Sequence, residues 1–553
     1  MTNQNIRVLP LGGLGGIGKN CTVIEYGEDL LVIDAGMEFP SDEMLGVDVV
    51  IPDFTYLVER QDHILGIVIT HGHEDHIGGL PYLLQQISAP VYATALTRGL
   101  IEVKRTSEQK KRVRLQTIAP GWTLTLGPFV VTPFHVNHSI PDAVGLAIRT
   151  PAGLVVHTGD FKIDHTPIEG DPADLGELAR LSAEGVLLLL SDSTNAESPG
   201  YTLSESLLRD TFEQVFSRAE GRIIVTTFAS LLSRVQLVIE TAARFGRKVA
   251  FAGRSMEQNT AIAEELGYLH WPENTRVDLS QVNDLPDEKV VIVATGSQGE
   301  PNSALSRMAS GKFRYVSIRQ GDTVVLSAKA IPGNETAIHR NIDNLFRRGA
   351  DVVYGTRAGL HVSGHAAQEE LKMILNLLRP VYFVPVHGAY RMLVQHARLA
   401  YELGMSPNNV FVLDNGDTLE VSLEGASRGE SIPAEGLMVD GATVGDVGPT
   451  ILRDRMTLGQ DGVVIAKVAV DGQTGKLIRE PEMVAHGFVY LPEAGELLDS
   501  ARKTIVQVIE SYQGNGSGYD GDELSLIVER RLGSFFQSQT RRSPVVVAVV
   551  SVN

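Results

Sequence analysis

One cysteine, Cys21, stands among 553 residues. No disulfide can therefore close within the chain, and a reducing cytoplasm is the expected location. Long apolar runs are missing as well: "VLLLL" around Leu188 and "VVVAVV" around Val547 are far too short to cross a bilayer, so no membrane span is expected. The opening "MTNQNIRVLP" lacks the basic and apolar regions of a signal peptide. Positive charge is scarce, with 48 Lys and Arg against 67 Asp and Glu and a net charge of −19. That balance argues mildly against a nucleic-acid partner, because phosphate binding normally leaves a basic footprint. One stretch departs from it. "RGLIEVKRTSEQKKRVR" (98–114) carries seven basic residues against two acidic ones, and it reads equally as a solvated helix face or as a phosphate-facing patch. No internal repeat and no low-complexity tract is present.

What remains is an ordinary globular composition, 43% hydrophobic and 21% charged, over a length that suggests roughly three or four domains. Short β-rich runs that end in polar loops recur: "LLVIDAG", "ILGIVITHG", "LVVHTGD", "VLLLLSDST", "RIIVTTF", "KVVIVATGS", "DTVVLSA" and "PVYFVPVHG". Interleaved helical patterns such as "SESLLRDTFEQVFSRA" predict a layered α/β architecture. The pattern dissolves over 423–448 into Gly, Ser, Glu and Pro, which reads as a linker. Beyond it, "GVVIAKVAV", two helical stretches and "PVVVAVVSV" predict a small separate α/β domain.

"GLGGIG" (13–18) matches GxGxxG, but "NCTVIEYG" after it is strand-like where a dinucleotide fold needs a helix. We read it as a tight loop between strands. "HGHEDH" is of a different order. His71, His73, Asp75 and His76 follow the apolar run 64–70, and imidazole with carboxylate suits zinc or a neighbouring first-row divalent ion. Alternation puts His71 and His73 on one side of an extended segment, and Asp75 and His76 follow a bend. Four ligands this close crowd a single tetrahedral ion, so two ions sharing further ligands from elsewhere are the better arrangement.

This motif resembles that of the metallo-β-lactamase superfamily, whose fold is a four-layer αββα sandwich with metals at one sheet edge. The remaining family positions follow in order: Asp34 in "LVIDAG", His138 in "FHVNHSIPD", Asp160 in "VVHTGDF" and His387 in "FVPVHG". The resemblance implies that His71, His73 and His138 hold one divalent ion, and Asp75, His76 and His387 a second. Asp160 would bridge them and Asp34 would orient the metal loop. Zinc is the first expectation, with manganese or magnesium as alternatives. The other histidines receive no role.

More than two hundred residues separate Asp160 from His387, enough for an inserted domain. That spacing resembles the β-CASP nucleases, in which a second α/β domain caps the metal domain over a nucleic-acid cleft. "LLLLSDST" supplies Asp192, and "LHVSGHA" supplies His361, Ser363 and His365. A histidine at position 387 favours RNA over DNA by the same resemblance. Over the whole chain the pattern is similar to the bacterial ribonuclease J family. This implies 5′-to-3′ exonucleolysis with preference for a 5′-monophosphate, additional internal cutting, a homodimer or homotetramer through the C-terminal domain, and protein partners in RNA decay. The implied division is 1–205 and 359–425 for the metal domain, 206–358 for β-CASP, 426–450 for a linker and 451–553 for the C-terminal domain. Asp192 and His365 are the expected catalytic pair, with His365 as proton donor. Ser230 and Ser233 of "TTFASLLSRVQ", with His361, Ser363 and His365, are the expected contacts to the RNA and its terminal phosphate. The alternatives are a β-CASP DNA nuclease, a small-molecule metallohydrolase of the same fold, or an RNA-binding scaffold with a dead site.

Overall fold

A computed structural model describes residues 5–41, 43–331, 334–355, 359–489, 495–512 and 520–553. By its contacts the chain divides into two compact units: 1–39 with 49–437, and 40–48 with 438–553.

The first unit contains two sheets packed face to face. One has eight strands, in the order Ala426–Arg428, Leu419–Val421, Ile6–Gly12, Cys21–Tyr26, Asp29–Ile33, Ile64–Val68, Val91–Ala93 and Leu115–Thr117. The other has six, in the order Tyr382–Val386, Val186–Asp192, Gly153–His157, Val144–Thr150, Phe129–His135 and Leu124–Leu126. Alternation along each strand decides the packing. Val8, Ile24, Leu31 and Val68 of the first sheet share one buried cluster with Val131, Leu146, Val155, Leu188 and Val384 of the second. On the outer face of the second sheet, Val156, Leu189 and Phe383 pack against Leu178, Ile374 and Ala397 from the helices Leu175–Glu184, Gln368–Leu378 and Tyr390–Glu402. The alternate residues of the first sheet, Leu9, Val23, Val32 and Ile67, are equally buried, as are Leu57, Leu83 and Leu84 of the helices Thr55–Glu59 and Leu80–Gln86. Helix, sheet, sheet and helix make four layers.

Into this sandwich the chain inserts a five-stranded sheet, ordered Lys248–Ala252, Val290–Ala294, Ile223–Thr226, Thr323–Leu326 and Asp351–Val353 and parallel throughout. Its strands are near-continuous apolar runs because helices cover both faces. The junction expected at 358 lies outside the described residues. The glycine-rich 13–18 segment is the loop between the antiparallel strands Ile6–Gly12 and Cys21–Tyr26.

The second unit holds a three-stranded sheet. Val463–Val470 lies antiparallel to Glu482–His486 and parallel to Val545–Val552. Val464, Ala466 and Ala548 bury one face against Ile505, Val528 and Phe536 of the helices Gly495–Ser511 and Gly521–Thr540. The stretch read as a linker is not bare chain: Ala426–Arg428 pairs with Leu419–Val421, and Leu437–Asp440 pairs with Thr443–Val444. Strands of two to four residues are too short to show alternation.

The basic stretch 98–114 is largely occupied by the protein itself. Lys104 pairs with Glu74, Arg105 bonds Glu102 and the carbonyls of Gln109 and Val113, and Arg112 bonds the carbonyls of Leu84 and Ile87. Lys110 lies 3.4 Å from Glu102. Four of its seven basic residues thus cap backbone carbonyls or pair with carboxylates.

Candidate metal centre

Parallel pairing brings the site together. Asp29–Ile33 runs parallel to Ile64–Val68, and Gly153–His157, Val186–Asp192 and Tyr382–Val386 run parallel to one another. Parallel strands finish at the same edge, so Asp34, His71, Asp160, Asp192 and His387 all emerge there, at or just past a strand end.

Ligand atoms within 4.8 Å of one another come from an overlapping set, Asp160, Asp192, His365 and His387, and from two main groups: His71, His73 and His138, and Asp75, His76, Asp160 and His387. Asp160 Oδ2 lies between them, 3.2 Å from His76 Nε2, 3.1 Å from His387 Nε2, 3.7 Å from His71 Nε2 and 3.8 Å from His138 Nε2.

Hydrogen bonds fix which nitrogen of each ring faces inward. Thr70 Oγ1 gives its proton to Asp34 Oδ2 at 2.8 Å and so accepts from His71 Nδ1 at 3.1 Å, leaving the His71 Nε2 lone pair free. His76 Nδ1 donates to Asp34 Oδ2 at 2.8 Å, and His138 Nδ1 donates to the Gly364 carbonyl at 2.8 Å. His73 points Nδ1 inward, 3.1 Å from both His71 Nε2 and His138 Nε2. Burial, followed by neighbouring imidazoles, lowers the pKa of His71 and His138 well below the usual range, and burial takes His73 to about 4. The rings are therefore neutral, and the inward nitrogens of His71, His73 and His138 crowd together.

The second group behaves oppositely. Burial opposes charge on His76 and His387, but Asp160 outweighs it with help from Asp75, and both imidazoles are raised. Asp160 is itself held well below the usual carboxylate range against its burial, by His387 and His76. Both ring nitrogens of His387 are buried without a well-formed hydrogen bond. Neutral lone pairs that crowd one another, beside carboxylates that draw protons onto their neighbours, are a donor set that fits divalent cations.

The backbone around the nest is tightly specified. Asn20 N and Nδ2 both donate to the Asp75 carbonyl, Ala35 N donates to His76 O, and Met37 N donates to Glu74 O. A side chain at Gly36 would start 1.6 Å from the Asp75 carbonyl oxygen, so only glycine lets the two segments meet. Gly364 is equally constrained, its would-be Cβ lying 2.7 Å from His138 Cε1. The "HVSGH" segment thus supports a metal-ring histidine through its glycine carbonyl, which the sequence pattern did not show. Nor did the sequence single out Asn20 or Thr70, whose roles depend on what folds against them.

His365 stands at the edge of the nest, its Nδ1 donating to Asp192 Oδ2 at 2.8 Å and lying 4.0 Å from Asp160. Burial opposes its charge, but the Asp192 carboxylate prevails and pushes its pKa up to about 9. Asp192 accepts in addition from Thr194 N at 2.9 Å. The expected phosphate contacts are less closely assembled. Ser363 Oγ accepts from His365 N at 3.1 Å, and His361 Nδ1 lies 3.2 Å from Arg234, the residue after Ser233. Among the described residues no hydrogen bond joins Ser230 or Ser233 to His361 or Ser363. Lys329, exposed after the strand Thr323–Leu326, adds positive charge near His361 and was missed because a lone lysine carries no pattern.

Fold and nest together define a metallo-hydrolase of the metallo-β-lactamase class with an inserted β-CASP domain. Residues 14–201 match the family model "Metallo-beta-lactamase superfamily", 220–345 "Ribonuclease J, beta-CASP domain", 349–413 "Zn-dependent metallo-hydrolase RNA specificity domain" and 450–553 "Ribonuclease J C-terminal domain". The chain is 41% identical to ribonuclease J 1 of Streptococcus pyogenes over 100% of its length and 99% of that protein. It is 40% identical to ribonuclease J2 of Bacillus subtilis over 99% and 98%, and 46% identical to ribonuclease J of Synechocystis over 92% and 79%. A crystal structure of a protein of unknown function from Enterococcus faecalis shares the fold at a TM-score of 0.54 and 15% identity, covering 75% of this chain and 100% of that one. The chain belongs to the ribonuclease J family.

Asp34→Ala removes the acceptor that orients His76 and anchors Thr70. It is expected to weaken divalent-ion affinity by roughly 10–100-fold, read by competition with a chromogenic chelator. Unchanged affinity would remove Asp34 from the support of the nest.

Proposed function

We propose that this protein is a ribonuclease that hydrolyses RNA phosphodiester bonds, working from the 5′ end toward the 3′ end with preference for a 5′-monophosphate, and cutting internally as well. The observation that carries the reading is the single Asp160 oxygen lying within 3.8 Å of both ring groups, with the His365–Asp192 pair beside it.

His71, His73 and His138 would hold one ion and Asp75, His76 and His387 the other, with Asp160 common to both. Zinc suits the donors best, and manganese or magnesium are the alternatives. Divalent ions in such a nest supply Lewis acidity toward a phosphodiester and a water at neutral pH. The chain's residues supply the rest. Asp34 and the Gly364 carbonyl keep His76 and His138 in the tautomers that present their lone pairs. Asp192 holds His365 through Nδ1, which leaves Nε2 to protonate the departing 3′ oxygen as the oxygen of water bonds to phosphorus and the bond between phosphorus and that 3′ oxygen breaks. The shortened strand keeps a 5′-phosphate and can re-enter the same cycle. His361, Ser363, Ser230 and Ser233 would contact the terminal phosphate, beside the positive charge of Lys329.

Product analysis tests this directly. RNA labelled at the 5′ end as monophosphate, triphosphate or hydroxyl should release nucleoside monophosphates fastest from the monophosphate, with a deoxy version of the same oligonucleotide resistant. Rapid turnover of DNA, or of a lactam or thioester with RNA untouched, would move the reading to the rival hydrolases. His73→Ala should abolish cleavage while RNA still binds, which a dead scaffold could not show. His365→Ala should retain metal and RNA but cleave about 10²–10⁴-fold more slowly. Near wild-type rates would end its role as proton donor.

The assembly belongs to the same reading. The sheet face turned away from the helices of the second unit exposes Val484, Val547 and Val549 alongside Ile465, an apolar surface suited to a second copy. A Val547→Asp, Val549→Asp variant should shift light scattering from dimer or tetramer to monomer, and an unchanged mass would place the interface elsewhere. The buried, unpaired Cys21 is consistent with a reducing cytoplasm.

A further inference from the structure

Arg234 sits in the first turn of the helix Leu232–Arg244 and is 1% exposed. Its two terminal nitrogens carry all of its hydrogen bonds, Nε being buried without a partner. Nη2 donates to both oxygens of Glu205 at 2.7 and 2.9 Å, and Nη1 donates to the Ser327 carbonyl at 2.8 Å. Nη1 also faces His361 Nδ1 at 3.2 Å. Arginine has no acceptor and does not lose its charge in a protein. His361 Nδ1 must therefore present a lone pair, and its one ring proton must sit on Nε2. A free histidine beside a phosphate would instead exchange tautomers and titrate near neutrality.

We propose that Arg234 is a positioning residue for 5′-end recognition: it locks His361 as the neutral Nε2–H tautomer, a fixed donor toward the terminal phosphate, and so sharpens discrimination between phosphorylated and hydroxyl ends. This rests on the reading that His361 faces that phosphate.

The surroundings agree. Burial, then Arg234, Lys329 and Lys162, hold the His361 imidazole down to about 3. Lys162 is paired with Asp164 at 3.1 Å and Arg234 with Glu205, so Lys329 is the exposed cation of the group. Nearby His365 is tied to Asp192. Among the described residues nothing accepts from His361 Nε2. Glu205 precedes the inserted domain in the chain and Arg234 lies within it, so the same guanidinium also ties the insertion to the segment that leads into it.

Two measurements test the proposal. In the wild-type chain labelled with ¹⁵N-histidine, the His361 resonances, assigned by loss in His361→Gln, should report a single Nε2–H tautomer that stays neutral down to pH 5.5. An Nδ1–H ring, or titration near 6.5, overturns the proposal without any variant of Arg234. The second uses Glu205→Gln, Arg234→Gln, which removes both charges together and leaves neither buried alone. Its ratio of kcat/KM for 5′-monophosphate over 5′-hydroxyl RNA should fall about tenfold, with the loss in KM for the phosphorylated RNA. A folded double variant with an undiminished ratio overturns the proposal. His361→Ala separates the two levels. If that variant keeps full discrimination, the phosphate-pocket reading falls and takes this inference with it. If it loses discrimination while the double variant keeps it, only the role of Arg234 falls.

Discussion

The Asp160 carboxylate is the point on which the molecule turns. It is 2% exposed and is held charged against that burial by the imidazoles of His387 and His76, which arrive from separate segments. An isolated carboxylate at such a depth would neutralise itself. The nest therefore cannot form piecemeal. The loop holding His71 to His76, the segment of His138, the turn at Asp160 and the strand end at His387 must all be present at once.

A second constraint follows from the first. A neutral imidazole offers a lone pair on one nitrogen and a proton on the other, and in three of these rings the fold gives that proton an acceptor. Thr70, Asp34 and Gly364 perform this service for His71, His76 and His138. Arg234 does the converse for His361, offering a donor where the others offer acceptors.

Much of this was legible in the chain because it is local. "HGHEDH" holds its ligands within six residues, so one short turn of helix, Glu74–Ile77, brings Asp75 and His76 round, and each apolar run that ends in Asp or His marks a strand delivering a side chain to an edge. The phosphate contacts were less so. Ser230, Ser233 and Ser363 are small hydroxyls whose direction depends on neighbouring segments, and Ser363 already accepts from His365 N. The basic stretch 98–114 is a similar case. Its charge is visible in the sequence, but the carbonyls it caps belong to other turns.

The sequence by itself determined the inventory: which side chains can hold a cation, the order of strands and helices, and an insertion large enough to form its own parallel sheet. Periodicity and ligand spacing act over a few residues, so they survive reading along the chain. Only the tertiary structure decided how closely Asp160 approaches both ring groups, that a glycine carbonyl orients His138, and that a buried arginine meets Glu205 and His361. Those contacts join residues 22 to 227 positions apart, and nothing in a linear pattern encodes a hydrogen bond whose partner arrives with another layer of the fold.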